Sequence, residues 1–279
     1  MFEVIFLSVL AIVWMIFGIA QDLRTREIAN WLNFSLIIFA LGFRFFYSLF
    51  SLGDFRFFYQ GLIGLGIFFA LGHLFYYGKL FAGGDAKLMI ALGAVIPFSI
   101  NFSSNLRLFV NFIFIFLFVG AIYGLLTSFF VSLKNVKKFR KEFGKQFKKN
   151  KRMAHSLLFF SVVLMVLGFL EVLFFFLGLL VFLIPYIYIY AKAVDESSMI
   201  KNIETSRLTV GDWLYKDVKV GNKTIQAKWD GLKKEEIRML KKKYKKVLIR
   251  SGIPFSPVFL ISFVILVYFW KVGFAGFLF

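Results

Sequence analysis

The chain has 279 residues, 60% of them hydrophobic and 21% aromatic, with a net charge of +19 and no cysteine; its mean hydropathy is +0.79. A single soluble core cannot hide that much apolar surface, so the composition excludes an ordinary soluble enzyme and points to an all-α polytopic membrane protein. Without cysteine there is no disulfide framework, no thiol nucleophile and no Cys-ligated zinc.

A spanning helix needs about 20 mostly apolar residues. Runs of this kind fall near 3–20, 29–49, 57–78, 86–100, 107–132 and 257–279. Their recurrence argues against a cleaved signal peptide, and no small-residue cleavage site follows the first run, so the first segment is expected to be retained. The stretch 157–190 is apolar apart from Glu171. As one helix it would be roughly 50 Å long at 1.5 Å per residue, too long for one crossing of a hydrocarbon core about 30 Å thick.

The charges choose between one span and two. Residues 133–155 hold ten Lys/Arg against Glu142, and residues 192–250 hold sixteen against eight acids. Basic loops stay cytoplasmic, and a hairpin at 157–190, turning at Glu171, keeps both segments on that side. The expected organisation is a membrane core over 1–132 and a basic cytoplasmic loop over 133–156. An apolar hairpin over 157–190, a small basic cytoplasmic α+β segment over 191–256 and a transmembrane helix over 257–279 follow, with about seven to eight spans in all. The N terminus then lies outside, as do connectors 50–56 and 101–106. Arg24, Arg26 and the stretch Lys79 to Lys87 lie inside.

This threading brings Asp22, at the end of the first span, and Asp85, at the start of the fourth, to the same boundary. Acids beside spans are costly and usually face a protein interior or a wet cavity. Two carboxylates held close share a proton, leaving one as general base and one as general acid. Such a pair activates water for attack on a peptide carbonyl without metal or cofactor. Helix ends assign the roles: Asp22 lies where partial negative charge collects and is expected to hold the proton, and Asp85 lies at a helix start and is expected to be the base. Gly83 and Gly84 permit positive φ and close approach of another chain, so an extended substrate can lie there, and Lys87 offers a donor. Taken singly, Asp85 also suits an N-cap and the two glycines a turn. Asp22 with Arg24 and Arg26 also suits an interfacial cluster, and Lys87 a snorkelling side chain.

Three stretches resemble a known family, the archaeal prepilin and preflagellin peptidases, which are membrane aspartyl proteases of the GxGD type. DLRTREIANWLNF from Asp22 resembles the first motif, AGGDAKLMIALGAVIP from Ala82 the second, and LTVGDWL (208–214) with SGIPFSPVFL (251–260) is similar to the C-terminal region of a subset of the archaeal enzymes. Ala82 stands where the signature has its first glycine, and Gln21 is unlike the Tyr-Asp of presenilin-like relatives. The resemblance implies catalytic residues Asp22 and Asp85, no cofactor, and as substrates pilin-like or archaellin precursors with a short basic leader, cleaved at the cytoplasmic face. The tetracysteine zinc site of bacterial relatives is excluded here, and their methyltransferase activity is unsupported.

In the C-terminal polar segment, WLYKDVKVGNKTIQAKW reads as two strands around Gly221-Asn222. After Asp230 as N-cap, LKKEEIRMLKKKYKKVLI puts Leu232, Ile237, Leu240, Tyr244, Val247 and Leu248 largely on one helical face. The Lys-rich opposite face suits anionic membrane lipids; charge alone does not make a nucleic-acid partner. A role in presenting a basic leader would require the eight acids to cluster. His73 and His155 lack ligand-like neighbours and read as structural. A proton- or cation-coupled transporter using Asp22 and Asp85 is the rival from another class; transporter sites favour broken helices near the midplane and repeated halves, whereas these acids share one boundary and no repeat is visible. A noncatalytic assembly subunit would give the paired acids no task.

Overall fold

The computed structural model describes residues 1–221 and 223–273, apart from the side chain of Leu52. The helices are α1 (Phe2–Thr25), α2 (Asn30–Tyr47), α3 (Arg56–Tyr77), α4 (Gly83–Gly93), α5 (Phe102–Leu133), α6 (Val136–Lys149), α7 (Lys151–Leu167), α8 (Val172–Val194), α9 (Lys234–Lys243) and α10 (Ser256–Lys271). Short strands β1 (Ile200–Glu204), β2 (Trp213–Leu214), β3 (Val218–Val220), β4 (Lys223–Ile225) and β5 (Lys246–Arg250) fall in the polar segment near the C terminus. The chain is a multi-pass membrane protein, divided into two compact units: residues 1–124 with 254–279, and residues 125–253.

Among the described residues, five helices are long and apolar enough to cross a membrane, or six if the bent pair α6 and α7 counts as one span. That is fewer than the seven to eight expected. The difference lies in short elements. Helix α4, expected to span 86–100, has 11 residues, about 16 Å of rise. Helix α10 has 16 residues, and residues 274–279 of the expected 257–279 span lie outside the described residues.

In the first unit, α4 packs against α2 and α3 and is apolar nearly all round, with Leu88, Met89, Ala91 and Leu92 buried. Gly64 and Gly93 let α3 and α4 touch backbone to backbone, since a Cβ on either would run into the other's carbonyl. Small residues at such contacts are how membrane helices gain packing without a hydrophobic driving force. Past the end of α4, Arg44 of α2 is fully buried and bonds the carbonyls of Ala94 at 2.8 Å and Val95 at 3.0 Å, together with those of Phe57 and Pro97. Its guanidinium also lies 4.3 Å from the Phe57 ring centre. The orphan carbonyls of a helix end need partners, and in a dry core a single arginine provides several donors at once.

In the second unit, α7 and α8 pack against each other, with Glu171 immediately before α8. Residues 133–156 form α6 and the start of α7. β1, β5 and β2 make an antiparallel sheet in that order. β3 pairs with β4 as the hairpin expected there, with Val218 opposite Ile225; Asn222 lies outside the described residues. The helix expected to run to about 249 ends at Lys243, because the burial period changes: Val247 and Ile249 point inward and Leu248 outward, the alternation of a strand. It also starts later, at Lys234, where the Glu236 carboxylate accepts from the Lys233 backbone N–H at 2.8 Å; Asp230 is not its cap.

Candidate active site

Asp22 sits in the last turn of α1, only 9% exposed. The chain then turns sharply, with Arg26 in the left-handed region at φ 63° and its N–H bonded to the Asp22 carbonyl. The Gln21 side chain accepts from the Ala29 N–H at 2.9 Å, and the Thr25 hydroxyl donates to the Gln21 carbonyl. These bonds fix the 26–29 loop, whose Ile28 is buried. Ile28 packs between two glycines, Gly18 one turn before Asp22 and Gly84 one residue before Asp85. One apolar side chain thus links the elements that carry the two aspartates.

Asp85 lies in the first turn of α4, outside the helices that qualify as spans, and is half-buried. Burial, reinforced by the nearby Asp22 charge, pushes its carboxyl up to about 7, against a partly opposing backbone hydrogen bond from Ala82. Asp22 therefore lies close enough for its charge to act on Asp85. The helix-start argument made Asp85 the charged member; here desolvation and a like charge outweigh the partial positive charge of a helix only 11 residues long.

A second partner explains Asp22. The Ser256 hydroxyl, fully buried at the start of α10, donates to Asp22 Oδ2 at 2.7 Å. Tyr123 of α5 donates to the Pro254 carbonyl at 3.0 Å, holding the segment that delivers Ser256. Neither residue was singled out in the sequence. Ser256 lies 234 positions from Asp22, and the signal available was only that it falls inside the SGIPFSPVFL patch.

Gly83 and Gly84 open α4 and are not among the residues with positive φ, which near the site are Arg26 and Lys79. Gly83 leaves bare surface, since a Cβ there would meet only a Tyr76 ring atom at 4.0 Å, whereas Gly84 is covered by Ile28. Lys87 donates to the Asn30 side chain at 2.6 Å, tying the start of α4 to that of α2. Asn33, one turn along α2, is 3% exposed, and its amide has no partner among the described residues. His73 and His155 each bond a carbonyl one turn back in their own helices. Asp212 and Asp217 accept from the N–H groups of Thr209 and Ala227, while Asp195 and Glu196 pair with Arg250.

Residues 9–126 match the model of the type IV leader peptidase family. A preflagellin peptidase of Methanococcus maripaludis is 34% identical over 83 residues, which are 30% of this chain and 35% of that protein. The match thus reaches about a third of the relative's length. No solved structure matches the chain. The resemblance read from the two aspartate motifs is thereby shown: over residues 9–126 the chain is similar to the type IV leader peptidases.

Proposed function

We propose that the chain is a membrane aspartyl endopeptidase that removes the short basic leader from pilin-like or archaellin precursors at the cytoplasmic face. The observation that carries this reading is the closeness of a buried Asp22 to an Asp85 whose carboxyl rises to about 7. Asp22, held by Ser256, is the base; Asp85 is the acid that keeps its proton. Asp22 takes a proton from water as the oxygen attacks the scissile carbonyl, and Asp85 donates to the carbonyl oxygen as it becomes tetrahedral. Collapse breaks the C–N bond, the proton gained by Asp22 passes to the leaving amine, and Asp85 regains its own.

The bare backbone at Gly83 gives an extended substrate room to lie beside the pair, and Gly84, packed on Ile28, supports the same helix start. Lys87 has three donors, one of them engaged by Asn30, which leaves two for a substrate carbonyl. Leader removal from co-expressed precursors, read by mass spectrometry of the new N termini, tests the assignment. Asp22→Asn and Asp85→Asn should each lower cleavage by at least about 10³-fold, as expected when members of one catalytic unit are removed. Cleavage that survives both changes ends the proteolytic reading and leaves the ion-coupled transporter.

A further inference from the structure

Helix α6 is cationic and unevenly so: seven of its 14 residues are Lys or Arg and one, Glu142, is acidic. Glu142 is turned inward, its side chain 17% exposed and paired with Lys145 at 3.4 Å. The same flank carries Phe139, whose ring centre lies 5.7 Å from that of Tyr190 on α8, and the buried Gln146. At 3.6 residues per turn, Lys137, Arg140, Lys141 and Lys148 fall on the opposite arc, and all four are exposed. On the border between flank and arc, Val136 and Phe147 expose apolar side chains beside the cations.

The direction of α6 adds an independent constraint. It is bent 72° from α7, which packs along α8, and α8 is long and apolar enough to span. A rod bent that far from a membrane hairpin lies nearer the membrane plane than its normal. Seven cations in addition bar α6 from hydrocarbon. A purely solvated face needs neither the bend nor the exposed phenyl ring, whereas an interfacial helix needs both.

We propose that α6 lies in the membrane interface and that its cationic arc binds the phosphates of anionic lipid headgroups, with Val136 and Phe147 entering the acyl boundary. Each cation near an anionic surface strengthens binding about fivefold, so the four cations of the arc together confer a clear preference over zwitterionic lipid.

The full-length protein in detergent, exposed to equal amounts of phosphatidylglycerol and phosphatidylcholine, should retain the former at least about tenfold over the latter by native mass spectrometry. With Lys137, Arg140, Lys141 and Lys148 all changed to Gln, the ratio should fall to within about twofold. A second measurement does not depend on that variant folding. The chain lacks cysteine, so a spin label introduced through Phe147→Cys, with all four cations kept, reports one position in lipid nanodiscs. Its relaxation should respond more to oxygen than to a water-soluble nickel chelate. Equal retention of the two lipids by the unaltered protein, an unchanged ratio in the Gln variant, or a label open mainly to the aqueous chelate would overturn the proposal. Retention of nuclease-sensitive RNA in place of phosphatidylglycerol would overturn it too, and would make the arc a nucleic-acid surface.

Discussion

Asp85 couples chemistry to stability through one proton. In an unfolded chain an aspartate titrates near about 4, and in the folded protein this one titrates at about 7. Below pH ~4 both states hold the proton and the fold loses nothing. As pH rises toward about 7 the unfolded state alone releases it, so the folded state loses ground, and the loss is complete above that value. Asp85→Asn, which never ionises, should therefore melt with the parent protein near pH 4 and above it at pH 8, as differential scanning fluorimetry in detergent would read. Cleavage by the parent should decline as pH rises through about 7, where Asp85 loses its proton. Ser256→Ala removes a bond to a charged group, worth about 1.5–3 kcal/mol. Turnover should drop about 10- to 100-fold with little change in KM, and Ser256→Thr should restore most of it. The aspartates were legible in the sequence because charge stands out in an apolar chain. Ser256 was not, because a serine at a helix start is common and its partner is fixed only by the fold.

Among the elements, α4 shows how a buried cation takes the place of helix length. Arg44 reads in the sequence as one charge inside an apolar run. In the fold it gathers carbonyls from Ala94, Val95 and Pro97, and so lets the chain leave the helix inside a dry core. Arg44→Met keeps the bulk and removes the donors. Leaving buried carbonyls unpartnered costs about 1–3 kcal/mol each, so the variant should lose at least about 3 kcal/mol, a large share of a typical folding free energy. It should also cleave poorly, because Asp85 rides on the same helix. The β5 segment shows the opposite limit of sequence reading. Its lysines and apolar residues fit a helical face almost as well as a strand, and pairing with β1, Val247 opposite Ile203, decides for the strand. The β3–β4 hairpin was legible because its signal is local.

For the whole molecule, the uneven charge is the feature on which the proposed orientation rests. The basic stretches on either side of the α7–α8 hairpin are proposed to lie in the cytoplasm, with the 50–56 connector on the far side. Single cysteines at Gly144 and Gly53, two exposed positions, give a direct check. A membrane-impermeant maleimide applied to intact cells should label Gly53→Cys and leave Gly144→Cys unlabelled until the cells are broken. The number of crossings was less legible than the class, since hydropathy registers apolar runs and not where a buried arginine or a short helix cuts them.

The bond between Ser256 and Asp22 also sets an order of events in biosynthesis. In the order of synthesis Asp22 comes before the hydroxyl that grips it, by 234 residues. Until α10 has docked, the buried carboxylate lacks that donor. Under the proposed function, a nascent chain carrying both aspartates would lack the donor that holds its base, so cleavage should begin only once α10 is in place.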